Sequence, residues 1–343
     1  MTVYVAQGWR GYAGWGDQAA LGDEVDPTRF NAVESISANE KRGSQALKEC
    51  RQERQVVARS RGNITADVSV SGNMYPDDYF SGRIWDNILP VNTETGDTTD
   101  GYVHEFVEDN DITKYKQFGE SIHCHLGGQD KNTLKIAVGS ILKSFSLNSP
   151  ESGALKCSAS YIAQKIVNAP SALTPVTASY SALSPFESWM CTVKIGTTIA
   201  LAAAIDVKDW TFSVEMNPKL IFQQKGATNG RYATKIVFGQ PIFSLTFNKL
   251  VEDDFNTLYS DFSSDALKSV VLNIKHDSKS GSAAGSEHEI TINLPRMMID
   301  EETSSLNGTD DQTRSLKLTA LKGLATTTYA CAVTIKNSTD NVY

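Results

Sequence analysis

Two histidines that flank a cysteine form the most suggestive metal-binding pattern in the sequence. His123 and His125, in the stretch HCH, are two residues apart, which places both side chains on one face of a strand. A zinc site needs further ligands at short spacings, and none follows here. The five cysteines are scattered singly, which is typical of reduced thiols that pack as small hydrophobic residues. We therefore predict neither a metal site nor a disulfide.

Acidic residues are the other groups that could carry chemistry. Asp77 is followed by Asp78, and Asp253 by Asp254, but adjacent carboxylates rarely converge on one substrate as a general acid and base. The acidic runs EDND and GTDD lack the alternating ligand pattern of a calcium loop. No Ser-His-Asp or Cys-His arrangement is legible. The sequence therefore predicts no catalytic residues, no cofactor and no enzyme activity.

The glycine-rich stretch GWRGYAGWG at 8–16 could be taken for a phosphate-binding loop. It lacks the strand-to-helix context and the lysine that such a loop requires. We interpret it instead as a flexible N-terminal arm with two aromatic anchors, Trp9 and Trp15.

The elements around these residues are written twice along the chain. A glycine, Gly62 in one copy and Gly239 in the other, precedes a strand in which apolar and polar residues alternate, as a half-buried strand requires. The two copies are about 177 residues apart. The alternating apolar positions are Ile64, Ala66, Val68 and Val70 in the first copy and Phe243, Leu245 and Phe247 in the second.

A short amphipathic helix is predicted after each of these strands. Asp77 and Asp78 in the first copy, and Asp253 and Asp254 in the second, are suited to cap a helix and to complement its positive N-terminal dipole. Each pair is followed by an apolar stripe of helical spacing. The stripes are Phe80, Ile84, Trp85 and Ile88, and Phe255, Leu258, Tyr259 and Phe262.

The chain midpoint separates two similar halves. Residues 168–187 contain three prolines and many serines and threonines, which is typical of a linker. Alternation resumes around Cys157 and again around Leu318, which indicates further antiparallel strands. We predict a mainly β fold with two tandem β-sandwich or barrel domains, each with a flanking α-helix. The predicted boundaries are 1–170 for the first domain, 171–186 for the linker and 187–343 for the second.

The distribution of charge is uneven. The chain carries a formal net charge of −8, which argues against general binding to nucleic acid. Two segments at corresponding places in the two halves are basic, each with a net charge of +4. We predict that they contact acidic surfaces of neighbouring copies of the chain. The basic residues concerned are Lys41, Arg42, Lys48, Arg51, Arg54, Arg59 and Arg61 in segment 40–61, and Lys219, Lys225, Arg231 and Lys235 in segment 218–238.

The order of these motifs resembles the two-domain phage tail tube proteins, the major tail proteins of long flexible-tailed phages. GWGDQAALGDEVDPTRF is similar to the opening of that family, and RGNITADVSVSGNMYPDDYFSGRIW to its glycine-strand-helix unit. GSILKSFSLNSPESGALKCSASYIAQ resembles its paired strands, and GQPIFSLTFNKLVEDDFNTLYSDF repeats the first unit.

The resemblance implies a structural virion protein that is assembled in the host cytoplasm. In such tubes, domains join edge to edge into a six-domain ring around a channel, so three two-domain chains are expected in each ring. The implied partners are other copies of the chain, the tape measure protein, the terminator and the tail tip. Genomic DNA is expected to pass through an acidic lumen without specific binding. We expect no membrane anchor, because no apolar run approaches the length that spans a bilayer.

Two other classes of protein fit parts of the pattern. A carbohydrate-binding or adhesin protein of tandem β-sandwiches would show exposed aromatic residues clustered on one sheet or loop end, whereas Trp85, Trp189 and Trp210 lie in patterned or linker-adjacent segments. A hydrolase on a β-scaffold would need paired catalytic acids. Glycan binding by a monomer, or substrate turnover, would favour these alternatives.

Overall fold

The computed structural model describes residues 11–46, 59–109, 111, 114–115, 119–126, 134–168, 176–222, 232–250, 263–283, 286–305, 313–322 and 329–338. The described chain is nearly all β, with one short α-helix, α1 (Ile84–Ile88), and two 3-10 turns, Ser188–Met190 and Ile199–Leu201. The strands of the first half are β1 (Tyr12–Asp17), β2 (Arg29–Asn31), β3 (Ser35–Ala46), β4 (Arg59–Asn73), β5 (Val91–Asp97), β6 (Gly101–Val107), β7 (Glu120–His125), β8 (Leu134–Ser149), β9 (Lys156–Ala163) and β10 (Lys165–Asn168).

The second half repeats most of this succession, without a counterpart of β5 and β6 among its described residues. Its strands are β11 (Cys191–Gly196), β12 (Ala203–Ile205), β13 (Asp209–Glu215), β14 (Lys219–Ile221), β15 (Lys235–Val237), β16 (Ile242–Leu250), β17 (Lys268–Lys279), β18 (Glu287–Ser305), β19 (Thr313–Ala320) and β20 (Ala332–Asn337).

Strand pairing shows the duplication directly. In the first half β3, β4, β9 and β8 pair in that order, and in the second half β13, β16, β19 and β18 do the same. A second sheet is built as β2, β1, β7, β8 and β10 in one half and as β12, β11, β17, β18 and β20 in the other. β8 and β18 each run through both sheets. The sequence prediction of a mainly β, duplicated fold is confirmed.

Register strengthens this equivalence. The shift between Leu142 and Ser144 in β8 recurs between Ile299 and Glu301 in β18, at the same step of the ladder with the next strand. The two halves are therefore equivalent residue by residue in these strands.

A hairpin and a strand pair join the two halves. β5 and β6 form a hairpin inserted in the first half, and β6 pairs with β20 of the second half. β8 also pairs with β13. One buried apolar cluster contains residues of both halves, including Trp85, Phe145 and Phe212. The domain boundary at 171–186 stays a prediction.

The first strand departs from the sequence prediction. β1 is a core strand and not a flexible arm: it pairs with β2 and β7, and Trp15 is buried and stacked on Tyr79 with ring centroids 3.8 Å apart. Its glycines serve close packing, because a Cβ at Gly16 would lie 2.5 Å from the backbone oxygen of Asp26. Trp9 lies outside the described residues.

The prediction that Asp77 and Asp78 cap a helix is wrong. α1 begins seven residues after Asp77, its N-cap is Arg83, and no side chain caps it. Asp77 has a φ of 63°, in the left-handed region that a helix excludes, and its carboxylate accepts hydrogen bonds from Ser338. Asp78 instead accepts a bond from the backbone N–H of Ser181.

The apolar stripe behind these acids is buried as predicted, with Phe80, Ile84, Trp85 and Ile88 all in the core. Arg83 fixes the start of α1 through ionic contacts with Asp17, Asp86 and Glu120. The corresponding prediction for the second copy, with Asp253 and Asp254 as caps, lies outside the described residues.

Asp78 should make stability fall as the pH rises. Burial raises the pKa of this carboxyl from 3.8 to about 7, although backbone N–H groups of Ser181 and Ala32 lower it. Between about pH 4 and 7 the group is ionised in the unfolded chain and protonated in the folded one, so this contribution to stability is complete below pH 4 and is lost as the pH approaches 7.

The change should approach about 1.4 kcal/mol per pH unit within that window. Urea unfolding of the wild type and of Asp78→Asn from pH 4 to 8 measures it. The variant should show a flatter curve, and parallel curves would show that Asp78 is ionised in the folded protein.

Candidate self-assembly surface

The pairing of β8 with β13 fuses two four-stranded sheets into one. The result is a continuous antiparallel sheet of eight strands in the order β3, β4, β9, β8, β13, β16, β19, β18. This sheet, with two open ends, is the candidate functional site, and we call it the eight-stranded sheet.

The two faces of the eight-stranded sheet differ in chemistry. Alternate residues such as Val68, Phe145 and Leu245 face the core and are buried. The opposite face, which we call the hydroxyl face, carries small polar side chains that are exposed or half-buried. Its members include Ser35, Ser37, Ser69, Ser71, Ser144, Ser146, Ser158, Ser160, Thr211, Ser213, Ser244, Thr246, Ser315 and Thr319.

Hydroxyl groups on this face bond across strands. Ser37 Oγ lies 2.7 Å from Ser69 Oγ, and Ser213 Oγ lies 2.8 Å from Ser244 Oγ. Such pairs satisfy the polar groups locally and leave a flat surface of low charge. The face is therefore polar without being a binding site for any one ion.

Charges on the hydroxyl face nearly balance. The charged residues at ladder positions whose side chains the structure describes are the bases Lys41, Lys156 and Lys317 and the acids Asp67, Asp209, Glu215 and Glu301. Lys41 Nζ lies 3.7 Å from an oxygen of Asp67, and Lys156 Nζ lies 3.1 Å from Glu34. The acidic excess of the chain is thus not concentrated here.

The junction between the halves is well packed. Residues Trp210–Glu215 lie opposite Ser149–Ser144, which places Phe212 against Leu147 and Val214 against Phe145 on the core side. On the hydroxyl face Asn148 Nδ2 donates to Thr211 Oγ1 at 2.7 Å. Trp85 of α1 lies below the junction, 5.5 Å from Phe145 and 6.2 Å from Phe212 between ring centroids. The buried helix therefore supports the seam of the sheet.

Each end strand of the eight-stranded sheet has a strand partner on one side only among the described residues. Among the described residues, β3 pairs only with β4, and residues 298–305 of β18 pair only with β19. Their counterparts in the middle of the sheet, β13 and the second part of β8, are paired on both sides. In the described part of the chain, the sheet thus ends in two edges without a second strand partner, and these edges are equivalent to the two strands of the internal junction.

The described parts of the basic segments include paired strands. Lys41 and Arg42 are exposed residues of β3, and the backbone of Arg59 and Arg61 belongs to β4. In the second half the exposed residues Lys219 and Lys235 lie on the hairpin β14–β15. Lys48, Arg51, Arg54, Lys225 and Arg231 lie outside the described residues. The predicted contact of these side chains with neighbouring copies is a proposal.

The histidines of the HCH stretch serve packing. His123 Nε2 lies 2.9 Å from the carbonyl oxygen of Val25, which makes this nitrogen the donor, and burial lowers the pKa of the ring. His125 stacks on Tyr12 at 5.0 Å between ring centroids. Across the described ranges, no group of three or more His, Cys, Asp or Glu residues could hold a metal ion.

A cavity of about 310 Å³ near the acidic run at 108–111 is the other place where chemistry could occur. Its acids already have partners: Glu108 lies 3.6 Å from Lys322, and Asp109 pairs with Lys114. Burial raises the pKa of Tyr115 in its wall to about 12. The phenol is therefore protonated at neutral pH and is a poor base.

A sheet whose two end strands have one strand partner each among the described residues, and whose open face carries nearly balanced charge, is typical of a structural protein that joins to further β-strands. A family model described as phage tail tube protein matches residues 8–320. The chain therefore belongs to the phage tail tube protein family. That membership makes it a structural component of the phage tail and of the virion, and it indicates self-assembly into a tube.

The comparisons with individual proteins add less. Twenty chains of solved structures match, including one titled "Crystal structure of Hcp protein", with 10% identity, 37% of this chain and 86% of that chain covered, and a TM-score of 0.22. At that score the likeness carries no argument. No curated protein matches. None of the helices in the described part of the chain has the length and hydropathy to span a bilayer.

The internal junction should make a large contribution to folding stability. Phe145→Ala removes a fully buried ring between α1 and β13, and we expect it to lower the free energy of unfolding by about 3–5 kcal/mol. Ser146→Ala, next to it on the hydroxyl face, should change stability by less than about 0.5 kcal/mol. Urea denaturation measures both. Equal effects would show that the seam is not a core element.

Proposed function

We propose that three copies of this chain close into a ring through the free edges of the eight-stranded sheet, and that the stacked rings form the tail tube through which DNA is ejected. The observation that carries the proposal is the equivalence of the free edges to the internal β8–β13 junction. As β8 pairs with β13 inside the chain, β18 can pair with β3 of the next chain.

An edge-to-edge contact of this kind uses two different surfaces of the same molecule. Heterologous contacts give rings when the rotation closes and open filaments when it does not. Three chains of eight strands each would form a closed wall of 24 strands. Closed barrels of about 16–18 strands already leave an aqueous channel, so 24 strands leave a wider one.

Closure also decides which face lines the channel. The core side of the eight-stranded sheet is covered by α1 and by the second sheets, so it lies on the outside of the wall. The hydroxyl face is the one left to face inward. The lumen proposed here is therefore nearly neutral and not acidic as the sequence led us to expect. Its hydroxyl groups and nearly balanced charges offer little attraction to phosphate groups, which suits DNA that must slide without binding.

The remaining parts of the proposal follow from the family role. The linker at 171–186 separates two tube domains, the basic segments 40–61 and 218–238 contact neighbouring subunits, and the ends of the tube meet the tape measure protein, the terminator and the tail tip. Assembly takes place in the host cytoplasm. A carbohydrate-binding role has less in its favour: Trp15, Trp85 and Trp210 are buried, and among the described residues Trp189 is the one exposed tryptophan.

The ring composition is tested by mass. Native mass spectrometry or light scattering of single rings should give three full-length chains, and electron microscopy should show an approximately sixfold outline. Six full-length chains in one layer would contradict the proposal, because each chain would then supply only half of its eight strands to the 24-stranded wall.

The assignment of the hydroxyl face to the channel is tested by adding charge there. Ser158 is an exposed residue in the middle of β9. Ser158→Lys should leave tube formation intact but make tubes retain short duplex DNA in a salt-dependent manner, because each lysine releases counterions from phosphate. Ser158→Gln is the uncharged control. DNA retention measured by co-sedimentation that is equal for both variants would place this face elsewhere.

A further inference from the structure

The two junctions of the proposed ring have equivalent backbones but different side chains. Glu40 of β3 lies opposite Ala66 as Val214 of β13 lies opposite Phe243, and the partners Ala66 and Phe243 occupy equivalent places in β4 and β16. Glu40 is therefore the counterpart of Val214.

The same reasoning applies to the other edge. Glu302 of β18 lies opposite Leu316, as Phe145 of β8 lies opposite Ala159, and both strands carry the same register shift just before these residues. Glu302 is therefore the counterpart of Phe145. Inside the chain, Val214 and Phe145 are direct partners on the core side of the sheet.

Both glutamates face the core side and not the open side. Glu40 lies opposite the fully buried Ala66, and its Oε1 atom is buried without a hydrogen-bond partner among the described residues. The side chain of Glu302 is 8% exposed and pairs with Arg314 at 3.0 Å. Each free edge thus carries an inward-pointing charge where the internal junction has an apolar side chain.

Inward-pointing charges are one of the devices by which proteins protect open sheet edges from uncontrolled pairing. We propose that Glu40 and Glu302 guard the two free edges, so that chains pair edge to edge only at high local concentration, as on a growing tube. The partner is a second copy of this chain. The inference rests on the proposed ring and adds a control of its assembly.

The register carried over from the internal junction gives the contacts of the guarded pair. It places Glu40 opposite Glu302 of the next chain, two carboxylates that repel each other, with Arg314 beside Glu302 and Arg42 two residues along β3 from Glu40. On the hydroxyl face it places Lys41, the counterpart of Glu215, opposite Glu301. The junction therefore combines one repulsive pair inside with one attractive pair outside.

Removing the inner charge should promote assembly. Glu40→Gln keeps the shape of the side chain, and Glu40→Val gives β3 the side chain that Val214 supplies at the internal junction. The lowest protein concentration at which rings appear, measured by light scattering and electron microscopy, should fall about tenfold or more in both variants. Circular dichroism and gel filtration of dilute protein verify that the variants fold.

The outer pair provides controls of opposite sign on the same edges. Glu301→Lys and Lys41→Glu should each raise that concentration about tenfold, and the double variant should return it toward the wild-type value. An unchanged or higher assembly concentration for both Glu40 variants would overturn the guard. If rings form from neither the wild type nor the Glu40 variants, the proposed ring itself fails, whereas equal assembly of both refutes the guard alone.

Discussion

The structure depends on the pairing of β8 with β13. Backbone N–H and C=O groups at a sheet edge require partners, and this pair provides them where the two halves meet. The seam is supported from below by Trp85 between Phe145 and Phe212, and it fuses eight strands into one sheet. Among the described residues, β3 and residues 298–305 of β18 have a strand partner on one side only.

Duplication explains why these edges can pair with each other. Each half has β3 or its equivalent β13 at one edge of its four-stranded sheet and β8 or its equivalent β18 at the other. Halves can therefore pair edge to edge repeatedly, within a chain or between chains. The hairpin β5–β6 breaks this equivalence, because its strand β6 pairs with β20 inside the chain. Among the described residues, no equivalent hairpin lies between β16 and β17. The pair β6–β20 therefore joins the two halves at a second place inside the chain.

Much of the fold could be predicted from sequence, because the eight-stranded sheet has one apolar and one polar face. Alternation at Ile64 to Val70 and at Phe243 to Phe247 gave the strands correctly. The prediction of a flexible arm around Trp15 is wrong, because glycine occurs both in flexible segments and where backbones pack closely. The close approach of Gly16 to Asp26 in the structure distinguishes the two. The left-handed backbone conformation of Asp77 could not be predicted from the residue type. The pairings between halves depend on contacts distant in sequence, and no local pattern shows them.

The central claim is that β3 of one chain pairs with β18 of the next. It is tested most directly by placing cysteines at Asn39 and Thr303, the counterparts of the paired residues Ser213 and Ser146, and treating assembled protein with a short thiol cross-linker. The account predicts a ladder of covalent products that ends at three chains, absent from either single variant and from unassembled protein. A ladder that ends at six chains, or assembled rings without cross-links, would contradict it.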